Sequence, residues 1–179
     1  MQPPSLEFLR DSGGLFFDMM IHDFDVARWM VGEVVEITGC GTVVSDPRIG
    51  DFGDIDQGIA VLRFANGALG AIDASRSAGY GYECSTEIVG SRATVRIGQG
   101  HHFNIEWLTP GAATRDYASD FLERFPSAYL VELEDFAVAT QSGRQVRPNG
   151  RDGLGALLLA TAADRSRREN RPILVPSLQ

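Results

Sequence analysis

The spacing of apolar residues predicts a helix near the start of the chain. Ser12 and the pair Gly13-Gly14 precede a dense apolar segment at residues 15–30, and Gly32 follows it. A polar start and a glycine stop are typical of helix ends. We therefore expect one continuous helix over this segment.

The middle of the chain has the pattern of paired strands. Segments rich in β-branched residues alternate with turn residues, which predicts strands at residues 34–44, 58–65, 68–77, 83–89, 93–97 and 103–108. Asn66-Gly67 predicts a two-residue hairpin turn, and residues 90–91 mark a second hairpin. Residues 110–111, Pro-Gly, are expected to break the strand pattern. An antiparallel sheet follows from these hairpins.

The last third of the chain returns to helical spacing. Residues 129–140 predict one helix that ends at Gly143, and residues 154–168 predict a second helix with Asp152 as its cap. A short strand is expected over residues 171–175. Because helices and strands are segregated along the sequence, we expect an α+β fold: an open, largely antiparallel sheet with helices packed on one face.

Composition limits the class of protein. The 179 residues are 44% hydrophobic, enough for one domain spanning residues 1–179. The 16 basic and 24 acidic residues give a net charge of -8, which argues against a nucleic-acid partner. We find no apolar stretch long enough for a bilayer and no export signal, so we expect a soluble, cytoplasmic protein without membrane contact. Cys40 and Cys84 form no disulfide framework or CxxC pair, and we expect both to be reduced.

The predicted first helix carries a polar stripe that could be chemical. Asp18, His22 and Asp25 stand at i, i+4 and i+7, so they share one helix face while apolar residues occupy the rest. The stripe has three interpretations. It could be a solvent face, a general base in which the Asp18 carboxylate orients the His22 imidazole, or a metal site. No second cluster completes a metal-ligand spacing, so we expect no metal.

Two further groups of residues are candidates of lower specificity. Tyr80 and Tyr82 are two apart and would share a face of an extended segment, where their hydroxyls could meet a polyhydroxylated ligand or could be ordinary strand aromatics. His101 and His102 would point to opposite faces of a strand, so we interpret them as surface residues.

A search for a dinucleotide-binding turn gives two weak candidates. Gly39-Cys40-Gly41 continues into a β-branched run instead of a helix, and residues 153–155, Gly-Leu-Gly, open a helix without a preceding strand. We therefore expect no Rossmann domain in this chain and no cofactor-binding residues.

Three segments resemble one enzyme family. They are SGGLFFDMMIHDFDVARWMVGE at residues 12–33, YGYECSTEIVG at residues 80–90, and FPSAYLVELEDFAVATQSGRQVRPNGRDGLGALLLATAADRSRRENRPI at residues 125–173. Together they are similar to the C-terminal domain of the Gfo/Idh/MocA oxidoreductases, most closely the inositol 2-dehydrogenases. In that family an N-terminal Rossmann domain binds NAD or NADP, and the following domain supplies the substrate floor and the oligomer contact.

The resemblance also implies roles for individual residues. His22 matches the proton acceptor, and Asp18 matches the residue that orients it and binds a substrate hydroxyl. Tyr82, or as the less favoured choice Tyr80, matches a tyrosine that reaches the substrate. The implied reaction is hydride transfer from a ring carbon of a cyclic polyol such as myo-inositol to the nicotinamide, while His22 removes the hydroxyl proton.

The resemblance leaves two functions open. The glycine-rich unit and the lysine that the family places upstream of Met1 are not found in this sequence, so the chain alone is expected to bind no cofactor and to be inactive. The first function is the substrate domain of an NAD(P)-dependent polyol dehydrogenase. The second is a noncatalytic polyol-binding or assembly module.

Apolar residues on both faces of the Asn66-Gly67 hairpin predict self-association. A two-residue turn would pair Phe64 with Leu69, Leu62 with Ala71, Val61 with Ile72, and Ile59 with Ala74. If helices cover one face, the other is an apolar patch that a second copy would cover. We therefore expect a homo-oligomer formed through the sheet.

Overall fold

The structure is a computed structural model that describes residues 4–98 and 106–178. Contacts divide the chain into two compact units. Gln2–Ser77 and Arg147–Gln179 form the first, which we call the sheet unit, and Ala78–Val146 form the second, the hairpin unit. That the whole chain acts as one substrate-binding and oligomerisation domain stays a prediction.

Each unit has its own set of elements. The sheet unit contains α1 (Leu6–Asp11), α2 (Leu15–Asp18), α3 (Met20–Val31), β1 (Val34–Thr42), a 3₁₀ helix (Pro47–Phe52), β2 (Gln57–Phe64), β3 (Leu69–Ser75), α6 (Gly150–Glu169) and β8 (Ile173–Leu174). The hairpin unit contains β4 (Thr86–Val89), β5 (Thr94–Ile97), β6 (Glu106–Thr109), β7 (Ala112–Arg115), α4 (Phe121–Arg124) and α5 (Pro126–Ser142).

Helices cover one face of a four-stranded antiparallel sheet. The strand order is β3-β2-β1-β8, and α6 packs on β1 while α2 and α3 pack on α6 and on the neighbouring strands. Side chains of β2 alternate between buried and exposed along the whole strand. The expected α+β fold, with an open antiparallel sheet and helices on one face, is confirmed.

Gly39 lets α6 approach β1 closely. A β-carbon at Gly39 would overlap the backbone carbonyl of Ala163. The Gly39 N–H donates to the Ser166 hydroxyl at 3.0 Å, and that hydroxyl donates to the Arg171 carbonyl at 2.6 Å. A fully buried serine therefore satisfies a strand N–H that lies beyond the end of β8.

The predicted first helix is broken, which corrects the expectation of one continuous helix. α2 ends at Asp18 and α3 begins at Met20, with Met19 between them at φ -108° and ψ -60°. Leu15 on α2 and Phe24 on α3 are both buried. The break separates Asp18 from the helix that carries His22, so the single polar stripe is wrong as a description of this segment.

The Asn66 hairpin forms as expected but in a different register. The Phe64 N–H donates to the Ala68 carbonyl, and Gly67 has φ +88°, so the loop contains three residues instead of two. A turn followed by a left-handed glycine is the usual three-residue hairpin loop. Val61 consequently pairs with Ala71, and the predicted pairs are wrong by one residue.

This register decides which side chains face the helices. Gly58, Ala60, Leu62 and Phe64 of β2 are buried, and β3 adds the partly buried Gly70, Ile72 and Ala74. Ile59, Val61 and Leu69 lie on the uncovered face. Ile72 therefore belongs to the core side of the sheet and not, as the predicted pairing had it, to the patch shared with Val61.

The remaining boundaries differ in detail. α6 begins four residues earlier than expected because Asn149 is its N-cap and Asp152 completes a capping box as the third helical residue. Residues 110–111 form the turn of the β6–β7 hairpin, where Gly111 has φ +82°. The predicted strand at residues 103–108 begins outside the described residues. The β4–β5 hairpin, α5 with its stop at Gly143, and β8 are confirmed.

Adding a methyl group at Gly39 should destabilise the sheet unit. We expect Gly39→Ala to lower the free energy of unfolding by about 2–4 kcal/mol, because α6 would have to move away from β1. Urea unfolding measures this. Gly150→Ala is the matched control, since a β-carbon there meets no atom within 4 Å, and its effect should be neutral or slightly stabilising. Equal effects of the two variants would contradict the close packing at Gly39.

Candidate active site

Arg76 is the centre of a buried charge cluster beside Asp18. It follows β3 directly and its side chain is only 1% exposed. Its Nη1 donates to Asp18 Oδ2 at 2.6 Å, and its Nη2 donates to Asp54 Oδ2 at 3.2 Å. A buried guanidinium requires such partners, because an unpaired buried charge costs several kcal/mol.

Asp54 connects this cluster to the start of α2. Its Oδ1 accepts the backbone N–H of Leu15 at 2.9 Å, while its Oδ2 accepts Arg76. A carboxylate at the first N–H of a helix satisfies a group that has no partner within the helix. The position of α2, and with it Asp18, therefore depends on Asp54.

Asp56 fixes the neighbouring loop and the backbone of Arg76. Its fully buried carboxylate accepts the N–H groups of Val44, Ser45 and Asp46 and the Ser45 hydroxyl, and its carbonyl accepts the Arg76 N–H at 2.9 Å. Burial would raise the pKa of Asp56, but these hydrogen bonds outweigh burial and hold the pKa below its ordinary value. Asp56 is thus a structural anion at the base of the cluster.

Asp18 and His22 do not hydrogen bond to each other. The Asp18 side chain is about 20% exposed, and within the described residues its Oδ1 accepts no hydrogen bond. His22 lies in the first turn of α3, is exposed, and forms no side-chain hydrogen bond with the part of the chain that the structure describes. The expected i,i+4 contact is replaced by the ion pair between Asp18 and Arg76.

Asp23 follows His22 and faces a different environment. It lies in the first turn of α3, and its side chain is mostly buried. Burial raises the pKa of Asp23 to about 6, the nearby His22 opposes this, and the like charge of Asp73 adds to it. Asp23 is therefore a carboxyl group that loses its proton close to neutral pH.

The metal interpretation of the stripe finds no support. Among residues 4–98 and 106–178, no group of three or more His, Cys, Asp or Glu side chains could hold a metal ion. Asp18, one of the three proposed ligands, is paired with a guanidinium. His101 and His102 lie outside the described residues.

Tyr80 and Tyr82 belong to the hairpin unit and have different surroundings. Tyr80 is in a turn, its hydroxyl donates to Glu83 Oε2 at 3.0 Å, and its ring packs edge-on against Tyr117. Tyr82 packs edge-on against Phe125 with ring centroids 6.0 Å apart. The two are not on a shared face of an extended strand, because Gly81 between them has φ +132°.

Neither glycine pair forms a cradle for a dinucleotide. Gly39 and Gly41 lie inside β1, where Ala163 and Ile55 occupy the space next to them. Gly153 and Gly155 lie inside α6, and the Arg28 guanidinium lies against Gly155. A pyrophosphate site needs a glycine turn at a helix N-terminus, so these residues do not fit the cofactor.

A cavity in the sheet unit adjoins the charge cluster through Asp54. Its volume is about 140 Å³, and it lies between α1, α2, the 3₁₀ helix and the end of α6, with Leu9, Phe52 and Arg167 also in its lining. Neither Asp18 nor His22 lines it.

Sequence reasoning missed Arg76, Asp54 and Asp56. Arg76 directly follows a strand and precedes the recognised tyrosine segment, so it could be taken for a strand-end charge. The only sequence signal was a charged residue at the end of a segment otherwise rich in small and apolar residues. Its burial depends on contacts 22 and 58 residues away, which spacing along the sequence does not reveal.

The chain matches a known family over nearly its whole length. The family described as "Oxidoreductase family, C-terminal alpha/beta domain" matches residues 7–175. The chain belongs to this oxidoreductase family, and it corresponds to the C-terminal domain of its members.

Its relatives include inositol dehydrogenases. The chain is 43% identical over 174 residues to the myo-inositol 2-dehydrogenase of Thermotoga maritima, covering 96% of the chain and 52% of that protein. It is 41% identical to the inositol 2-dehydrogenase of Rhizobium meliloti, covering 96% and 53%. The chain thus spans about half the length of the curated relatives it matches.

A solved structure shows the same fold. The scyllo-inositol dehydrogenase of Lactobacillus casei with bound cofactor NAD(H) and scyllo-inositol superposes with a TM-score of 0.88 at 30% identity, covering 96% of this chain and 52% of that one. Its fold is that of the C-terminal domain of this oxidoreductase family, and the relatives named here are inositol dehydrogenases. Within the described residues, no helix is long and apolar enough to cross a membrane.

Neutralising Asp23 should stabilise the chain in a pH-dependent way. The raised pKa means that the folded state favours the protonated form, so the wild type loses stability as the pH rises through about 6. Asp23→Asn mimics that form and should raise the free energy of unfolding at pH 7.5 by about 1–2 kcal/mol, allowing for partial exposure. The difference should vanish near pH 3.5.

The measurement is urea unfolding of both proteins from pH 3.5 to pH 8. The exposed Asp51→Asn is the control and should give a small, nearly constant difference. An Asp23→Asn difference that does not grow with pH would contradict the burial of the Asp23 carboxylate.

Proposed function

We propose that this chain is the substrate domain of an NAD(P)-dependent dehydrogenase that oxidises a secondary hydroxyl of a cyclic polyol such as myo-inositol. The observation that carries the proposal is the placement of the Asp18 carboxylate. Buried Arg76 donates to its Oδ2, and its Oδ1 can accept a hydrogen bond from a substrate hydroxyl. An exposed imidazole, His22, follows at the start of the next helix. Relatives at 43% and 41% identity are inositol dehydrogenases, which supports the same substrate class.

His22 is the proposed proton acceptor. Oxidation of a secondary alcohol to a ketone releases a hydride, which this family passes to NAD or NADP, and a proton, which a base must accept. An imidazole is suited to that task near neutral pH. Asp18 would accept a hydrogen bond from a substrate hydroxyl and so orient the ring, since an ionised carboxylate is a strong acceptor.

Tyr82 is the proposed third substrate contact, and Tyr80 is the weaker choice. The Tyr80 hydroxyl donates to Glu83. The Tyr82 backbone N–H donates to the Ala118 carbonyl at 2.7 Å, and the Tyr82 ring packs edge-on against Phe125. A tyrosine anchored in this way has little rotational freedom to lose when it binds a ligand.

The cofactor would be held outside this chain. The glycine pairs here do not fit a dinucleotide, and the family resemblance assigns the cofactor to a separate N-terminal Rossmann domain. The isolated chain is therefore expected to bind no NAD or NADP and to be inactive by itself.

A noncatalytic polyol-binding or assembly module is the second candidate function. Because the glycine pairs of β1 and α6 do not fit a dinucleotide, this chain by itself is better suited to a noncatalytic role. α5 also favours a role in assembly, because its apolar side chains, including Leu130, Leu133 and Phe136, are 55% to 67% exposed. Turnover by the chain joined to a cofactor domain separates the two functions.

We further propose that the uncovered sheet face forms a homo-oligomer. Ile59, Val61 and Leu69 on this face are 47%, 48% and 70% exposed. A face of this composition is costly to leave in water, and a second copy packed against it would bury about 1,500 Å² in total. The assembly is a dimer or a tetramer, and the mass from light scattering distinguishes the two.

The cysteines support the expected cytoplasmic location. Neither Cys40 nor Cys84 forms a disulfide, and both lie at the surface. Cysteines outside disulfides are typical of proteins in a reducing compartment, where disulfides do not persist.

Replacing His22 should abolish most of the proposed turnover. With this chain joined to the cofactor domain of the Thermotoga maritima relative, His22→Ala should lower kcat for myo-inositol by about 10²–10⁴, the usual effect of losing a general base. Asp18→Asn should act in the same direction. Steady-state kinetics with NAD measures both, and the affinity for NAD should change little. Asp51→Asn is the surface control. Near-normal turnover of the His22 variant would show that His22 is a solvent-exposed residue and not the proton acceptor.

A lysine on the uncovered face should separate the copies. We expect the wild-type chain to be oligomeric at micromolar concentration and Ile59→Lys or Val61→Lys to be monomeric, because a charge would be buried in the interface. Multi-angle light scattering gives the mass. Val44→Lys, an exposed apolar position outside the strands, should leave the mass unchanged. A monomeric wild type, or an oligomer that survives both sheet variants, would rule this face out.

A further inference from the structure

We propose that Arg76 is a positioning residue that sets the orientation of the Asp18 carboxylate and leaves Oδ1 for a substrate hydroxyl. The inference rests on the proposed function, because it assigns a role within the same site. Arg76 lies within residues 7–175, which match the family, but outside the three segments 12–33, 80–90 and 125–173 that suggested the roles of Asp18 and His22.

The burial of Arg76 requires an explanation beyond packing. A guanidinium that is 99% removed from solvent loses its hydration, and a hydrophobic side chain of similar size would avoid this cost. Its two carboxylate partners recover the cost only if all three groups are correctly placed. Within the described residues, Nη1 and Nη2 have carboxylate partners whereas the buried Nε has none. The two carboxylate contacts therefore hold the guanidinium, and with it the Asp18 side chain, in place.

The partners of Arg76 also fix the backbone around Asp18. Asp54 accepts both Arg76 Nη2 and the Leu15 N–H at the start of α2, whereas Asp18 at the end of α2 accepts Nη1. One guanidinium thus connects to both ends of this short helix. The break at Met19 follows Asp18 immediately, so the helix carrying His22 imposes no i,i+4 geometry on Asp18.

The planar fork of arginine is needed for this geometry. Nη1 and Nη2 hold two different carboxylates, at 2.6 and 3.2 Å, in directions fixed by the guanidinium plane. A lysine ammonium supplies charge but no fixed fork. Arg76→Lys should therefore preserve much of the charge balance while loosening the orientation of Asp18.

The first arm of the test measures the pairing on the chain alone. Arg76→Met should lower the thermal unfolding midpoint by roughly 10 °C, because the buried Asp54 carboxylate and the partly buried Asp18 carboxylate lose their cation. When Asp18→Asn and Asp54→Asn are already present, Arg76→Met should lower the thermal unfolding midpoint by less than half as much. Arg48→Met is the matched control, since Arg48 also pairs with a carboxylate at 2.6 Å but is 67% exposed, and its midpoint should move by no more than about 2 °C.

The second arm measures positioning with the chain joined to the Thermotoga maritima cofactor domain. Arg76→Lys should lower kcat/KM for myo-inositol by about 10–100-fold while the KM for NAD stays unchanged. In the Asp18→Asn background, Arg76→Lys should add less than a factor of 3, because it acts through Asp18. Arg76→Met, if it folds, should be slower than Arg76→Lys.

The outcomes separate this inference from the proposed function. If Arg76→Met lowers the midpoint equally in the wild type and in the Asp18→Asn/Asp54→Asn variant, Arg76 is not paired with these carboxylates. That conclusion holds whether or not the fused enzyme is active. If the loss of kcat/KM in the double variant equals the product of the losses in Arg76→Lys and Asp18→Asn, Arg76 does not act through Asp18. That result would overturn the positioning role and leave the proposed function intact. Failure of the fused wild type to oxidise any cyclic polyol, with the expected midpoint coupling present, would overturn the proposed function and with it the positioning role of Arg76 in that reaction.

Discussion

The close contact between α6 and β1 is the constraint on which the sheet unit depends. Gly39 has no side chain, so Ala163 lies directly against the strand, and Ser166 satisfies the Gly39 N–H. With α6 in this position, α2 and α3 pack beside it and close the same face of the sheet. The opposite face keeps no helix of this unit, which is why Ile59 and Leu69 are exposed. The distance between helix α6 and strand β1 thus determines both the covered core and the uncovered surface.

The charge cluster depends on the same arrangement of layers. α2 lies on the covered face of β2, so Asp18 at its end comes within reach of Arg76 at the end of β3. Ionic groups this deeply buried add little net stability, and their usual value is to favour one geometry over its alternatives. In the proposed reaction, where several hydroxyl contacts would orient a polyol ring, a carboxylate held in one position would discriminate between ring stereoisomers better than a mobile one.

Local pattern predicted the elements, whereas contacts between distant residues decided the details. Helical and strand spacing located α5, α6 and the paired strands, because burial of one face imposes that spacing. Spacing gave no information about the break at Met19, although Leu15 before it and Phe24 after it are both buried in the same apolar cluster. For the same reason Asp18 and His22 were identified as candidates by their motif, while Arg76, which holds Asp18, has no local signature.

The three-residue loop at Asn66 has a consequence for how this domain can change in evolution. Its side-chain amide donates to the Val31 carbonyl and accepts the Ala68 N–H, so the loop is attached to the end of α3 as well as to its own hairpin. Side chains alternate along a strand, and losing one loop residue would turn every β3 side chain to the opposite face. Ile72 would then point to solvent and Asp73 toward the core. Length variation among descendants of this domain should therefore avoid this loop, although it is exposed and carries no candidate site residue.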